Sequence, residues 1–208
     1  MLLSFGHKTR CRAATSVLLG ALLGVVIFPS SALAINSPRP DWRVVSTIPV
    51  SGVVDATFTD DLHGWALASG DAASDLAETK DGGRHWQART LPTDDTFKRI
   101  LFTDARHGYI AGGNTVLVTT DSGTHWRATT PAPMQHNDLV DVAAPAPRTL
   151  YALGQQSGPF VSSDGGVTWQ AIARFENLVA DNVEFDHIVF SSSKDGWLST
   201  SDNLYVTL

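Results

Sequence analysis

"TKDGGRHW", residues 79–86, is the stretch whose reading decides the fold. It packs an acid, two glycines and a tryptophan into eight residues, without a nucleophile or a dense set of metal ligands. The octet returns as "TTDSGTHW" at 119–126 and as "SSDGGVTW" at 162–169. A motif that recurs at near-constant pitch is architecture before it is chemistry.

The register extends beyond the octets. Trp86, Trp126 and Trp169 close the three boxes, and Trp42 in "DWRVVSTI" fits the same column with no box before it. The spacings are 44, 40 and 43 residues. A second column holds Trp65, Tyr109, Tyr151 and Trp197, preceded by Gly in "HGW", "HGY" and "DGW" but not in "TLY". Seven residues before each stand Phe58, Phe102, Ala144 and Phe190. A period of 40–45 residues is that of a four-stranded propeller blade.

Strand signals fill each period. "VVDATF" and "FKRILF" read as first strands, and "GWALAS" and "GYIAGG" as second strands. "TVLVT" and "FVS" read as third strands, and "HWQART" and "HWRATT" as fourth strands. "RFENLVADNVEF" has apolar residues interrupted by Asn and Asp, and reads as a strand end followed by a loop. The box then sits where the third strand turns back into the fourth. Asp81, Asp121 and Asp164 are placed to accept hydrogen bonds from the turn's own amides. Gly83, Gly123 and Gly166 supply backbone freedom, at positive φ. Thr79, Thr119 and Ser162 offer a hydroxyl beside the acid, and Trp86, Trp126 and Trp169 pack a large ring on the sheet. These twelve residues are expected to be structural, each octet fastening one β-hairpin.

The expected architecture is all-β: a propeller of four-stranded antiparallel blades, about four of them, in an incomplete ring. Residues 1–34 are set apart as a signal peptide and 35–208 carry the propeller. Within it we expect an outer strand at 42–48, blades at 53–91, 97–131 and 138–175, and a partial blade at 187–208. Thr207 occupies the column of Thr79, Thr119 and Ser162, so the stretch reads as three strands without a fourth. Two readings follow: a truncated propeller, or early closure with "WRVVSTI" as the fourth strand of the last blade.

Lys8, Arg10 and Arg12 precede the uncharged run "AATSVLLGALLGVVIF", and "SALA" puts small residues where a signal peptidase reads them, so cleavage is expected after Ala34. The run is short for a membrane span of about 20 residues, the alternative being an uncleaved anchor. Cys11, the single cysteine, leaves with the leader, so the mature chain has neither disulfides nor thiolate ligands. Twelve basic residues then face twenty-one acidic ones, a net charge of −9. That sign disfavours nucleic acid and anionic membrane surfaces as partners.

The octets resemble the Asp-box, or BNR repeat, of sialidases and sortilin-type receptors. The wider blade, from "FTDDLHGWAL" to "TKDGGRHW", is similar to the repeat of the photosystem II assembly and stability factor family, over nearly all of the mature chain. The resemblance implies an exported, non-enzymatic scaffold that binds a protein partner, a membrane-protein subunit during assembly, without a cofactor. It implies a periplasmic or extracellular location, or the thylakoid lumen in a photosynthetic host. Family members use a basic, Arg-rich patch. Here nine Arg are scattered through an acidic mature chain, so no binding residue is carried over.

The rival reading is a fragment of a sialidase-like glycosidase. It would need an Arg cluster, a Tyr nucleophile and an acid-base Asp. Sialidases of that kind carry an Arg-Ile-Pro motif before the first box, which neither "PRP" at 38–40 nor "RIL" at 99–101 supplies. His85 and His125, like His63 and His107, repeat blade by blade and are expected on separate blades rather than around one metal. Asp181, Glu184, Asp186 and His187 form one non-repeating polar cluster, expected to be a solvated connection. Glu78 stands where Val118, Val161 and Val206 stand in the other blades, and is expected at an exposed edge.

Overall fold

The computed structural model describes residues 44–69, 74–131 and 139–207; the leader and Trp42 lie outside the described residues. Three four-stranded antiparallel sheets and one three-stranded sheet follow one another along the chain. The first is β1 (Val53–Phe58), β2 (Gly64–Ser69), β3 (Ser74–Thr79) and β4 (Gln87–Arg89). The second is β5 (Phe97–Phe102), β6 (Gly108–Gly112), β7 (Thr115–Thr119) and β8 (Arg127–Thr129). The third is β9 (Leu139–Ala146), β10 (Thr149–Gly154), β11 (Gly158–Ser162) and β12 (Gln170–Ala171). The last has β13 (Phe185–Phe190), β14 (Gly196–Thr200) and β15 (Leu204–Val206). Each sheet meanders outward in chain order, so the blades stand side by side in an arc that is not a closed ring.

The blades bury their faces against one another. Trp65, Leu67 and Leu76 of the first blade pack with Phe97, Ile100, Ile110 and Leu117 of the second. Tyr109, Val116 and Val118 pack in turn with Val142, Leu150, Phe160 and Trp169 of the third. Leu153 of the third meets Phe185, Ile188 and Leu198 of the fourth. Second strands are therefore apolar throughout: β2 and β6 have almost every residue buried. β1 stands at the open end and leaves Val53 and Val54 exposed.

The Phe column explains the "GW" and "GY" pairs. Phe58, Phe102 and Phe190 each pair with the first glycine of the adjoining strand, Gly64, Gly108 and Gly196. A Cβ on any of these glycines would lie within 2.6 Å of the Phe ring. The ring lies over the glycine and, in the second and fourth blades, against the aromatic of the preceding blade. Phe102 stacks on Trp65 at 3.9 Å and Phe190 packs on Tyr151 at 4.8 Å. In the third blade the pair is reversed: Ala144 replaces Phe and Leu150 replaces Gly, and the Leu150 side chain is fully buried beside Tyr109. Volume is kept while its source moves from the first strand to the second.

The innermost strands carry a further column, three residues before Phe58, Phe102, Ala144 and Phe190, which reads Asp55, Arg99, Asp141, His187. The charges alternate and pair in series. Arg99 reaches Asp55 at 3.3 Å and Asp141 at 2.9 Å, and His187 reaches Asp141 at 3.5 Å. Asp55 also accepts the Ile100 amide of the next blade, and Asp141 accepts that of Ile188. His187 thus belongs to a repeating column, not to an isolated acidic cluster.

Two other expectations are corrected. "RFENLVADNVEF" is not a loop: it holds a 3-10 turn (Ala173–Phe175) and α1 (Glu176–Ala180) before β13 begins. Phe175 anchors it edge-on against Phe185 and Tyr205. Asp181 and Asn182 end the helix, bonding back to Asn177 and Val179, with Asn182 at φ +55°. Glu78 is buried, not at an exposed edge. Its carboxylate is held by Arg89 from β4 at 2.8 Å and by Lys80 at 3.3 Å, which offsets the cost of burying it. Residues 44–48, the described part of the expected outer strand, form no ladder.

The reversed pair yields a direct test. Leu150→Gly is expected to cost about 2–5 kcal/mol in urea unfolding, since it empties a buried site. Adding Ala144→Phe should recover at least about 1 kcal/mol, a coupling expected only of groups sharing one space. A double variant no more stable than Leu150→Gly would show that the two side chains do not share it.

Candidate functional site

The twelve box residues form three corners of one design. In the first, the Thr79 hydroxyl accepts the Gly83 amide at 2.9 Å and donates to Asp81 Oδ1 at 3.1 Å. Thr119 does the same with Gly123 and Asp121, and Ser162 with Gly166 and Asp164. The acid then reaches forward four residues. Its Oδ1 accepts the amide of His85, His125 or Thr168, each at 2.9 Å. Its Oδ2 meets His85 Nδ1 at 2.5 Å, His125 Nδ1 at 2.6 Å or Thr168 Oγ1 at 2.6 Å. Thr168 therefore stands in for the histidines as the same donor. Gly83, Gly123 and Gly166 lie at φ +82°, +76° and +81°. A Cβ on Gly123 would also come within 2.9 Å of Trp65 Nε1, so the glycine admits the neighbouring blade as well as the turn.

Backbone amides aimed at a carboxylate favour its charged form. The His85 and His125 amides hold Asp81 and Asp121 down to about 2, helped by the histidine rings and the neighbouring threonine hydroxyls. Asp164 is held lower still, first by the Thr168 hydroxyl and then by its amide. The five-residue loop after β5 repeats the device: Asp104 accepts the amides of Arg106 and His107 and lies near 2. His63 and His107 likewise face Asp60 and Asp104 at 2.8 Å. Among the described residues no three metal-ligating side chains gather in one place.

The box tryptophans differ. Trp169 is buried and its Nε1 donates to Thr129 of the preceding blade at 3.3 Å. Trp86 is half-buried and donates to Gly83 O within its own corner at 3.0 Å. Trp126 packs edge-on against Phe102, and its buried Nε1 has no partner among the described residues.

The corners of the second and third blades flank a groove of about 760 Å³. Its origin lies in the chain. The first two strands are joined by five residues in the first, second and fourth blades, but only by Pro147 and Arg148 in the third. The segment is no shorter than in the other blades, since Ala144 and Tyr151 stand seven residues apart like Phe102 and Tyr109; its strands pair further out, to Ala146 and Thr149, and leave a two-residue turn with Arg148 at φ +65°. Tyr109, Val118 and Ala144 form an apolar floor, and His107 and His125 stand above it, each tied to its Asp. Arg127 and Arg148 border the groove and make no ion pair among the described residues. Asp121 and Asp164 line it from opposite blades, while Asp81 is not part of it. No signal in the octets points to this groove; the visible one is "APAPRTL" at 144–150 in place of "FTDARHG" at 102–108.

Comparison with known proteins is consistent in direction. The profile of the family described as "Photosynthesis system II assembly factor YCF48" matches residues 36–133. The "Photosystem II assembly lipoprotein Ycf48" of Synechococcus sp. (strain CC9902) is 29% identical over 174 residues, covering 76% of this chain and 48% of that one. The chain thus spans about half the length of that relative. The solved structure "YCF48 bound to D1 peptide" aligns with a TM-score of 0.52 at 17% identity, over 77% of this chain and 79% of that one. A GH74 enzyme of Niastella koreensis aligns with a TM-score of 0.60 at 16% identity, over 73% of this chain and 26% of its own. At such identities the structural likenesses show the propeller fold alone.

The corners predict a particular acid response. A carboxyl whose folded value is depressed stabilises the fold above its unfolded value, here 3.8, and loses that contribution as pH falls toward about 2. The urea midpoint should therefore hold from neutral pH to about 5 and fall between about 4 and 2, with Asp121→Asn flattening the fall. A midpoint that instead rises as pH falls through about 6.5, the histidine range, would mean that imidazolium charge holds the corners.

Proposed function

Since the chain belongs to the photosystem II assembly factor-like family of β-propellers, we propose that it is an exported, non-catalytic scaffold. It holds a polypeptide segment of a membrane-protein subunit in the groove between the second and third blades. The observation that carries this reading is the pairing of an apolar floor with two guanidinium groups, Arg127 and Arg148, that make no ion pair among the described residues. Arg is suited to interfaces because its planar fork binds carboxylates and its weak hydration lowers the cost of burial. The mature chain is acidic overall, so this local basic lip would select an acidic or carboxylate-bearing segment by contrast with its surroundings. The name of one structural neighbour records a bound D1 peptide, which agrees with a peptide ligand.

Export rests on the leader read in residues 1–34. No helix among the described residues is long and apolar enough to cross a membrane. The glycosidase reading is weaker on chemical grounds. A general acid in a glycosidase has its carboxyl raised toward neutral pH. Asp121 and Asp164, which line the groove from two different blades, are pushed the other way by their own corners.

The test uses fluorescent peptides that tile the exported-side loops of the host's integral membrane proteins. We expect one or more acidic peptides to bind, and Arg127→Glu with Arg148→Glu to weaken binding by at least about tenfold, the loss of one charged contact or more. No sugar should be released from a fluorogenic sialoside. Binding unchanged in the double variant would remove the groove from the account.

A further inference from the structure

We propose that His107 and His125 belong to the groove's binding surface, each offering its outer ring nitrogen to a carboxylate of the ligand, so that the groove takes an acidic segment more tightly as pH falls. The inference rests on the groove between the second and third blades being the peptide site.

The two rings are held alike. His107 Nδ1 lies 2.8 Å from Asp104 Oδ2, and His125 Nδ1 lies 2.6 Å from Asp121 Oδ2. An ionised carboxylate only accepts, so Nδ1 carries the hydrogen of each neutral ring and Nε2 is the free base. Neither Nε2 has a hydrogen-bond partner among the described residues. Both rings line the groove, and their side chains are 46% and 85% exposed. A proton taken up at Nε2 therefore places a charged donor at the groove and leaves the bond that orients the ring intact.

The charges around the rings decide the sign. Asp104 comes from the loop after β5, Asp121 from the corner of the second blade and Asp164 from that of the third. Arg127 stands on β8 and Arg148 in the turn of the third blade. Arg106, beside His107, turns to the Thr120 carbonyl at 3.4 Å. While the histidines are neutral, three carboxylates against two guanidinium groups leave the lining with one negative charge in excess. With both histidines protonated, one positive charge is in excess. The rest of the lining keeps its charge across this change. The Arg106 and His125 amides hold Asp104 and Asp121 down to about 2, the Thr168 hydroxyl holds Asp164 lower, and burial pushes the Tyr109 phenol up. Arginine stays charged throughout, and histidine is the side chain that takes a proton between about pH 8 and 5. Acidification thus reverses the sign of the groove in the direction that favours an acidic segment.

The third corner shows that hydrogen bonding does not require a titratable ring. Thr168 makes the same two bonds to Asp164 that His125 makes to Asp121. His125 therefore adds a property that the corner itself does not use. His85 is tied to Asp81 in the same way but lies outside the groove's lining, which makes it the internal control.

Fluorescence anisotropy tests this with a rhodamine-labelled acidic peptide, chosen from the tiled set for binding at about pH 6 and titrated from about pH 8 to 5.5, where peptide carboxylates stay ionised. The dissociation constant is expected to fall at least about tenfold over that range, the size of one added charged contact. His107→Gln with His125→Thr should hold the change below about twofold, while His85→Thr keeps it at tenfold or more. Calorimetry at about pH 6.5 in buffers of different ionisation enthalpy should show proton uptake on binding, lost in the double variant, because affinity and protonation are reciprocally linked. Circular dichroism at each pH guards against loss of fold. Binding that does not change with pH overturns the proposal and leaves the scaffold reading standing. So does a tenfold change that survives in the double variant or disappears in His85→Thr. A peptide set that fails to bind at any pH removes both.

Discussion

A Phe ring laid over a glycine, pressed against the aromatic of the blade before it, is the interaction on which this arrangement depends. A single four-stranded sheet has two faces to cover and cannot cover them alone. The Phe–Gly pair makes one face of each blade a shallow receptor and places a flat ring in it. The preceding Trp or Tyr then lies in contact with that ring, as in the 3.9 Å stack of Phe102 on Trp65. Burial of β6 follows, because only with a blade on each side is it covered on both faces. The box corners stand one step outward. Their buried hydroxyls and tied carboxylates fix the hairpin that carries the tryptophan, and Gly123 lets that hairpin approach Trp65.

Most of the fold could be read in the chain because those constraints act on spacing. A ring needs its glycine six residues on, the aromatic one further is the one offered to the next blade, and the Phe, Gly and Trp/Tyr columns show that spacing in three blades. The third blade broke the pattern, and the reason was visible only in space: Leu150 fills from one strand the volume that Ala144 leaves on the other. The inner column of Asp55, Arg99, Asp141 and His187 was hidden for a different cause. Its residues alternate in charge, so identity does not repeat although position does, and the link between them is pairing across blades. The short helix Glu176–Ala180 escaped because Asp181 and Asn182, which look like interruptions, end it, and because Phe175 gains its anchor from distant strands. Glu78 misled for the same kind of reason, since Arg89 eleven residues away makes its burial tolerable.

The groove shows how a repeat acquires individuality. The octets are nearly uniform, and uniform corners confer no specificity. What differs is the hairpin of the third blade, reduced to Pro147 and Arg148 between its strands. Arg148 in that turn lines the same groove as Arg127, over a floor that includes Tyr109 and Ala144. Function in such a fold is therefore sought where the columns fail, while the columns that hold maintain the frame.

The account stands most directly on the stack between Trp65 and Phe102, and a double-mutant cycle to alanine at these positions measures it. The predicted outcome is a coupling of about 1 kcal/mol or more between the two truncations, as expected of aromatic partners in contact. Losses that simply add, within about 0.5 kcal/mol, would mean that the rings are neighbours without being the junction, and the blades would have to be held by something else.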